Sequence, residues 1–210
     1  MQTKALGTRP FASVLIGLSG GACAGKTTLA KALLDVDNSI TLLCFDDYYR
    51  DLSHITPEER AAVNYDHPDA LDIELFVTHM DDLASGESVE VPDYDMATHT
   101  RPGGSHRLEA APLVLVDGML LLAVEQCRER LDLKIFVDAP RDVRLARRLV
   151  RDVAERGRDA ESVEKQFNTS VEPMHESLVL PSAQYADLRI DNPFDPRSAA
   201  QMVLKEINKL

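Results

Sequence analysis

The chain has 210 residues, enough for one sizeable core and short for two. Its formal net charge of −12 argues against a surface built for nucleic acid or anionic membranes. Three cysteines, Cys23, Cys44 and Cys127, share no metal-ligand spacing and cannot all pair, which points to a reducing, cytoplasmic setting.

The opening stretch MQTKALGTRPFAS has no apolar h-region and no small-residue cleavage site, so no signal peptide is expected. No apolar run approaches the length of a membrane span. The first element is a strand over Val14–Leu18 that contains Gly17, followed by glycines at 20, 21 and 25 and then a string of helix formers. Glycine weakens any regular element it sits in, so such a cluster needs a reason. Gly20-x-x-x-x-Gly25-Lys26-Thr27 supplies it, because G-x-x-x-x-G-K-[ST] between a strand and a helix is the phosphate-binding P-loop. Its glycines let successive N–H groups converge on phosphate oxygens at a helix N-terminus. Residues Gly20, Gly21, Ala22, Cys23, Ala24, Gly25, Lys26, Thr27 and Thr28 are therefore the expected ATP-binding set. Lys26 should reach the β- and γ-phosphates, and the Thr27 hydroxyl should bind Mg²⁺. The bland alternative is a glycine turn.

A P-loop does not name a reaction. Leu18-Ser-Gly-Gly21 resembles the signature of transporter ATPases, but it overlaps the P-loop instead of lying far downstream. A GTPase would need N-K-x-D, and Asn208-Lys209-Leu210 ends the chain too soon.

The second strand, Ile40–Phe45, runs into Asp46-Asp47-Tyr48-Tyr49. Ligands of open α/β sheets bind beyond the carboxyl ends of strands, which places Asp46 to face a γ-phosphate. Phosphoryl transfer needs a carboxylate there to take the acceptor's proton; a solvated strand-end turn is the other reading. A helix over Leu71–Ser85 follows from apolar positions three and four apart, with Asp72 near its start and Gly86 after its end. ESVEVPDYDMATHTRPGGSHRLEAAP breaks the alternation and reads as an inserted β-hairpin, about 88–110, turning at Arg101-Pro-Gly-Gly-Ser. The third strand, Leu113–Val116, ends in Asp117-Gly118, where a carboxylate could hold Mg²⁺ directly or through water, or simply begin a turn.

After the fourth strand, Leu133–Val137, a helix from Pro140 to about Glu155 opens a run of seven arginines between Arg141 and Arg158. Arg141, Arg144, Arg148 and Arg151 form one helical stripe. Charge runs are usually solvated faces. In so acidic a chain, forked guanidiniums that neutralise a transferring phosphoryl group are the sharper reading, with Glu155–Arg158 as a lid over about 144–170. A fifth strand, Asp187–Ile190, and a helix, Pro196–Ile207, complete an α/β alternation that implies a parallel sheet covered on both faces.

Four stretches, DDYYRDLSHITPEERAAVNYDHPDALD, VPDYDMATHTR, IFVDAPRDVRLARRLVRDVAERGRD and PSAQYADLRI, closely resemble the uridine–cytidine kinase family. The resemblance runs from about Ile16 to Ile190. It implies a single P-loop kinase domain over 1–210, a three-layer fold with a five-stranded parallel sheet in the order 2-3-1-4-5, and transfer of the ATP γ-phosphate to a nucleoside 5′-hydroxyl with Mg²⁺. By position, Asp46 matches the general base and a metal contact, and Asp66 the aspartate on the ribose hydroxyls. Tyr94 and His99 match the base-reading pair, Tyr against the ring and His at its position-4 substituent. Arg148, Arg158 and Gln166 match substrate contacts, and Arg151 and Arg156 match phosphate-side lid arginines. The family also implies a homotetramer and end-product inhibition by CTP or UTP.

Three positions depart from the family pattern: Asp117 for Glu, Ala24 for Ser before Gly25, and the DNPFDP loop for a PRG-type loop. The first suggests that Mg²⁺ is held through a water, and the last leaves ATP and GTP unranked as donors. The rivals are kinases of the same superfamily acting on ribulose phosphate, nicotinamide riboside or pantothenate, and a nucleotide-binding regulator without catalysis.

Overall fold

The structure is a computed structural model describing residues 12–210, so all but the last two residues of the N-terminal stretch discussed above lie outside it. Five parallel strands form the central sheet: β1 (Val14–Gly20), β2 (Ile40–Cys44), β5 (Leu113–Asp117), β6 (Leu133–Asp138) and β7 (Leu188–Asp191). They lie in the order β2-β5-β1-β6-β7. The numbering differs from 2-3-1-4-5 because β3 (Val89–Pro92) and β4 (Ser105–Leu108) take places three and four as a separate antiparallel hairpin. Counted among the sheet's own strands, the order is the expected one.

Strand periodicity explains the two cores. Leu15, Val114, Val116 and Phe136 face one side, and Ile16, Leu18, Leu115, Ile135 and Val137 face the other. Both faces are apolar, as a covered parallel sheet requires. On the first side pack α3 (Ile73–Ala84) and the segment before it, with Phe76 stacked on Phe45 at 4.1 Å between ring centroids. On the second side lie α1 (Lys26–Val36) and α9 (Pro196–Ile207), whose Leu29, Leu33, Ala200 and Val203 are buried. Capping set the α3 boundaries that the sequence suggested: the Asp72 carboxylate accepts from the Leu75 N–H, and Gly86 turns the chain away at φ 82°.

Three local expectations change. The second strand stops at Cys44, and Phe45–Tyr48 forms a 3₁₀ turn that swings Asp46 off the sheet. The hairpin's tip is Asp95–Thr100, not Arg101–Ser105, because Thr98 and Ala97 satisfy the Asp95 carboxylate and the Asp95–Thr100 bridge closes the loop. The sequence also gave no sign of a helix over 160–185. In the structure α6 (Ala160–Gln166) continues through a π segment (Phe167–Val171), α7 (Glu172–Met174), a second π segment (His175–Val179) and α8 (Leu180–Ser182) to a 3₁₀ turn at Ala183–Tyr185. Pro173 and Pro181 each follow a π segment within one or two residues, where the shifted hydrogen-bonding pattern tolerates a missing N–H. Two short helices, α2 (Pro57–Ala61), started by a Thr56/Glu59 capping box, and α4 (Glu125–Arg128), and a 3₁₀ turn at Pro68–Ala70 lie in the connections.

That long helix carries His175, which is 4% exposed and has an unpartnered Nδ1. It lies directly beneath the P-loop, since a Cβ built on Gly21 would fall 3.0 Å from its ring. Burial, helped by the Arg144 guanidinium, lowers its pKa from 6.5 to about 4. The folded protein therefore resists protonation that the unfolded chain accepts. The resulting stability is fully present above about pH 6.5 and is lost as pH falls toward 4, on the order of 3 kcal/mol in all. Denaturant unfolding at pH 7 and pH 5 should show a loss that His175→Gln largely abolishes. Equal losses in both proteins would show that another group controls the acid limb.

Candidate active site

The turn after β1 is shaped by backbone contacts. Gly20 has φ 139°, and a Cβ there would meet the Val137 carbonyl at 2.0 Å, so only glycine allows β1 and β6 to close at this point. Gly25, at φ 114°, is the N-cap of α1 and sits under Asn192 and Phe194 of the loop after β7. The Lys26 ammonium donates to the carbonyls of Gly20 at 2.9 Å and Gly21 at 3.0 Å, which fixes it at the loop's mouth. The DNPFDP loop is tied to the same turn: the Asn192 amide donates to the Ala24 carbonyl, and Arg147 bridges Asn192 Oδ1 (3.0 Å) to the Cys23 carbonyl (3.3 Å).

A cleft of about 1950 Å³ opens from this loop. Ala22, Cys23, Gly25, Lys26, Thr27 and Thr28 line one end, whereas Gly20, Gly21 and the fully buried Ala24 form the back of the turn. Asp46, Asp47 and Asp117 line its middle. Tyr49, Tyr65, Asp66 and His99 line the far end, and Arg147, Arg148, Arg151, Arg156, Arg158 and Gln166 line the roof. Residues scattered over more than 140 positions thus meet in one concavity, as the carboxyl ends of β1, β2 and β5 converge there.

Asp46 is open to the cleft yet walled by protein. The scarcity of water around it raises its pKa, opposed by the positive charges of Lys26, Arg151 and Arg156. Asp117 is held at about 6 by burial, with Lys26 opposing and Asp46 adding to the rise, and its Oδ1 is buried without a partner. Among the described residues no three His, Cys, Asp or Glu side chains form a complete metal site. Mg²⁺ does not need one: it takes one or two carboxylates, keeps waters and uses substrate phosphates. The hydroxyl of Thr27, the carboxylate of Asp46 and the orphaned oxygen of Asp117 offer that kind of donor set.

At the far end the aromatic arrangement differs from a simple Tyr94–His99 pair. The Tyr94 hydroxyl is hydrogen-bonded to His99 Nδ1 at 2.9 Å, but Tyr94 stands behind the cleft wall. The ring against His99 is Tyr65, stacked at 3.9 Å and 15°, and Tyr49 packs on both tyrosines. His99 has φ 55°, a left-handed backbone that the hairpin tip imposes. Burial lowers its pKa, with Arg156, Arg158 and Arg60 adding to the effect against Asp95. The Asp66 pKa is raised by burial and opposed by Arg148 and a hydrogen bond from Ser170.

The arginine run is not one functional stripe. Arg144, 2% exposed, donates from Nη2 to both carboxylate oxygens of Glu172 at 2.8 and 2.9 Å, and Arg141 leans on the same carboxylate at 3.9 Å. Neither lines the cleft, so these two serve the packing of α5 (Arg141–Ala154) against the long helix and not a phosphoryl group. Arg148 and Arg158 instead share Gln166 Oε1 at 3.1 and 2.8 Å. Sequence reasoning missed Arg147, Tyr49, Tyr65 and Asp152. Arg147 lay in the arginine run and the two tyrosines in the quoted stretch, but helical and motif spacing singled out none of them.

The family profile described as phosphoribulokinase / uridine kinase matches residues 15–195. A uridine kinase of Chloroflexus aggregans is 46% identical over 180 residues, 85% of this chain and 86% of its own length. A uridine kinase of Brevibacillus brevis is 40% identical over 199 residues, 94% and 93% of the two chains. Among solved structures, a putative fructose transport system kinase from a Silicibacter species superposes with a TM-score of 0.70 at 21% identity, covering 88% of this chain and 93% of its own. That likeness concerns the fold.

Proposed function

We propose that this chain, which belongs to the phosphoribulokinase / uridine kinase family, transfers the γ-phosphate of ATP to the 5′-hydroxyl of uridine and cytidine. The observation that carries the reading is the continuous cleft from the P-loop, past Asp46, to His99 and Asp66. Donor and acceptor sites share one cavity with a carboxylate between them.

Each residue then has a task. The loop's backbone and Lys26 bind the triphosphate. Thr27, Asp46 and Asp117 would hold Mg²⁺, which when bound neutralises the charge that develops on the phosphoryl oxygens. Asp66 orients the ribose, and Asp46 takes the 5′-hydroxyl proton. Arg151 and Arg156 lie over the phosphates, Arg148 and Arg158 with Gln166 over the nucleoside, and the turn 155–158 acts as a lid. His99 reads the base edge. Its Nδ1 is engaged by Tyr94, and its Nε2 makes no hydrogen bond among the described residues. A hydroxyl either donates or accepts. When Tyr94 donates to Nδ1, Nε2 carries the proton and suits uracil O4; when Tyr94 accepts, Nε2 suits the cytosine amino group.

Several wider assignments rest on the family resemblance: one kinase domain over residues 1–210, a homotetramer, and work in the cytoplasm, which also suits three free cysteines. Among the described residues no helix is long and apolar enough to cross a membrane. A panel of acceptors with ATP, GTP and Mg²⁺, including ribulose 5-phosphate and nicotinamide riboside, tests the reading. ADP release stimulated by uridine and cytidine alone is the expected result; stimulation by a sugar phosphate alone reverses the assignment.

His99→Ala should lower kcat/KM for both pyrimidine nucleosides by roughly ten-fold or more, because the base loses a buried partner of about 1–3 kcal/mol. KM for ATP is the internal control. Alanine adds strain at φ 55°, but that strain falls in the hairpin tip and not in the P-loop. Unchanged nucleoside kinetics would remove the hairpin from base recognition.

A further inference from the structure

Asp152 is a carboxylate with no exposed surface, on the last turn of α5. Four guanidiniums surround it, and its two oxygens divide them. Oδ1 takes Arg151 Nε at 2.8 Å and Arg156 Nη1 at 3.5 Å. Arg148 Nε and Arg158 Nη1 each lie 3.5 Å from Oδ2, the Arg148 contact being an ion pair without a hydrogen bond. The Asp152 carbonyl also accepts from the Arg158 N–H at 3.0 Å, so the turn after α5 closes back on the same residue. All four arginines line the cleft.

We propose that Asp152 is a positioning residue that sets the phosphate-side and nucleoside-side arginines in register, one pair on each carboxylate oxygen. The inference rests on the kinase reading above. Four like charges within reach of one another repel, and long guanidinium side chains lose conformational freedom when held. A single buried anion at their centre offsets both. It leaves the group with a surplus of three positive charges for a polyphosphate, since four arginines face one aspartate. Asp152 itself does not line the cleft, so it acts through the arginines.

Glu172 is the natural comparison. It is also buried and also paired with a buried arginine, Arg144, yet neither residue lines the cleft. Asp152→Asn and Glu172→Gln each remove one buried negative charge and nearly keep shape. Both should lower the melting temperature. Only Asp152→Asn should lower kcat for uridine, by about 100-fold, and weaken binding of a non-hydrolysable ATP analogue by roughly ten-fold. Glu172→Gln should keep kcat within about three-fold. An Asp152→Asn protein that melts like Glu172→Gln but keeps kcat and analogue affinity within three-fold overturns the proposal.

If Asp152→Asn does not fold, Asp152→Glu carries the test, because it keeps the charge but displaces the oxygens by one methylene. Folded Asp152→Glu with kcat reduced ten-fold or more supports positioning, and kcat within three-fold of wild type overturns it. The analogue-binding arm separates the two readings. If wild-type protein phosphorylates no pyrimidine nucleoside, the kinase assignment to those acceptors fails, while a ten-fold analogue loss in Asp152→Asn still supports Asp152 as the arginines' anchor.

Discussion

Asp46→Asn is expected to lower kcat by about 10²–10⁴-fold while changing uridine affinity no more than a few-fold. The amide keeps the shape of the carboxylate at the 3₁₀ turn after β2, so the cleft wall and the stacking of Phe45 on Phe76 stay in place. What is lost is the ability to accept the 5′-hydroxyl proton, needed only in the transition state. The raised pKa of this group serves that role, because a base becomes stronger as its pKa rises toward the working pH. Lys26, Arg151 and Arg156 oppose the rise. Rapid-quench measurement of the transfer step, alongside equilibrium uridine binding, separates the possibilities. Collapse of binding with surviving turnover of bound substrate would remove proton transfer from Asp46 and leave it a structural or metal-holding role.

Lys26→Ala should cost at least about 10³-fold in turnover, comparable with the loss of a charge that follows the phosphoryl group into its transition state. The fold should survive, because the ammonium's partners are two backbone carbonyls at the edge of the cleft and not a core contact. A second consequence follows from electrostatics. Lys26 is a positive charge that opposes the pKa rise of both Asp46 and Asp117. Its removal should push both carboxyls further toward the neutral acid and move the acid limb of the pH–rate profile to higher pH. Turnover and the pH profile, measured on protein with an unchanged melting temperature, check both. Near-normal turnover would mean that the loop does not act on the transferred phosphate.

The chain's local chemistry determined the parts that depend on neighbours in sequence. The P-loop was legible because its glycines and Lys26 lie within a few residues and their roles follow from backbone geometry. The five strands and the ends of α3 were legible for the same reason, since alternation and capping are local signals. Asp46 and Asp117 could be picked out by position at strand ends, and His99 and Asp66 by resemblance.

Tertiary structure alone decided which charges meet. The arginine run looked uniform along the helix, but Arg144 turned to Glu172, 28 positions away, and Arg147 to the Cys23 carbonyl, 124 positions away. A helix running through two π segments and two prolines carries Gln166 to Arg148 and Arg158 and Glu172 to Arg144, and no local propensity announces it. Tyr65 stacks on His99 while the Tyr94 hydroxyl meets its Nδ1, because the approach of the segment after α2 to the hairpin tip is a packing outcome. Asp152 is the clearest case. On paper it is one acid among arginines on a helix, and only burial turns it into their common partner. Coulomb attraction strong enough to order four long side chains needs exclusion of water, and that is fixed by the fold and not by spacing along the chain.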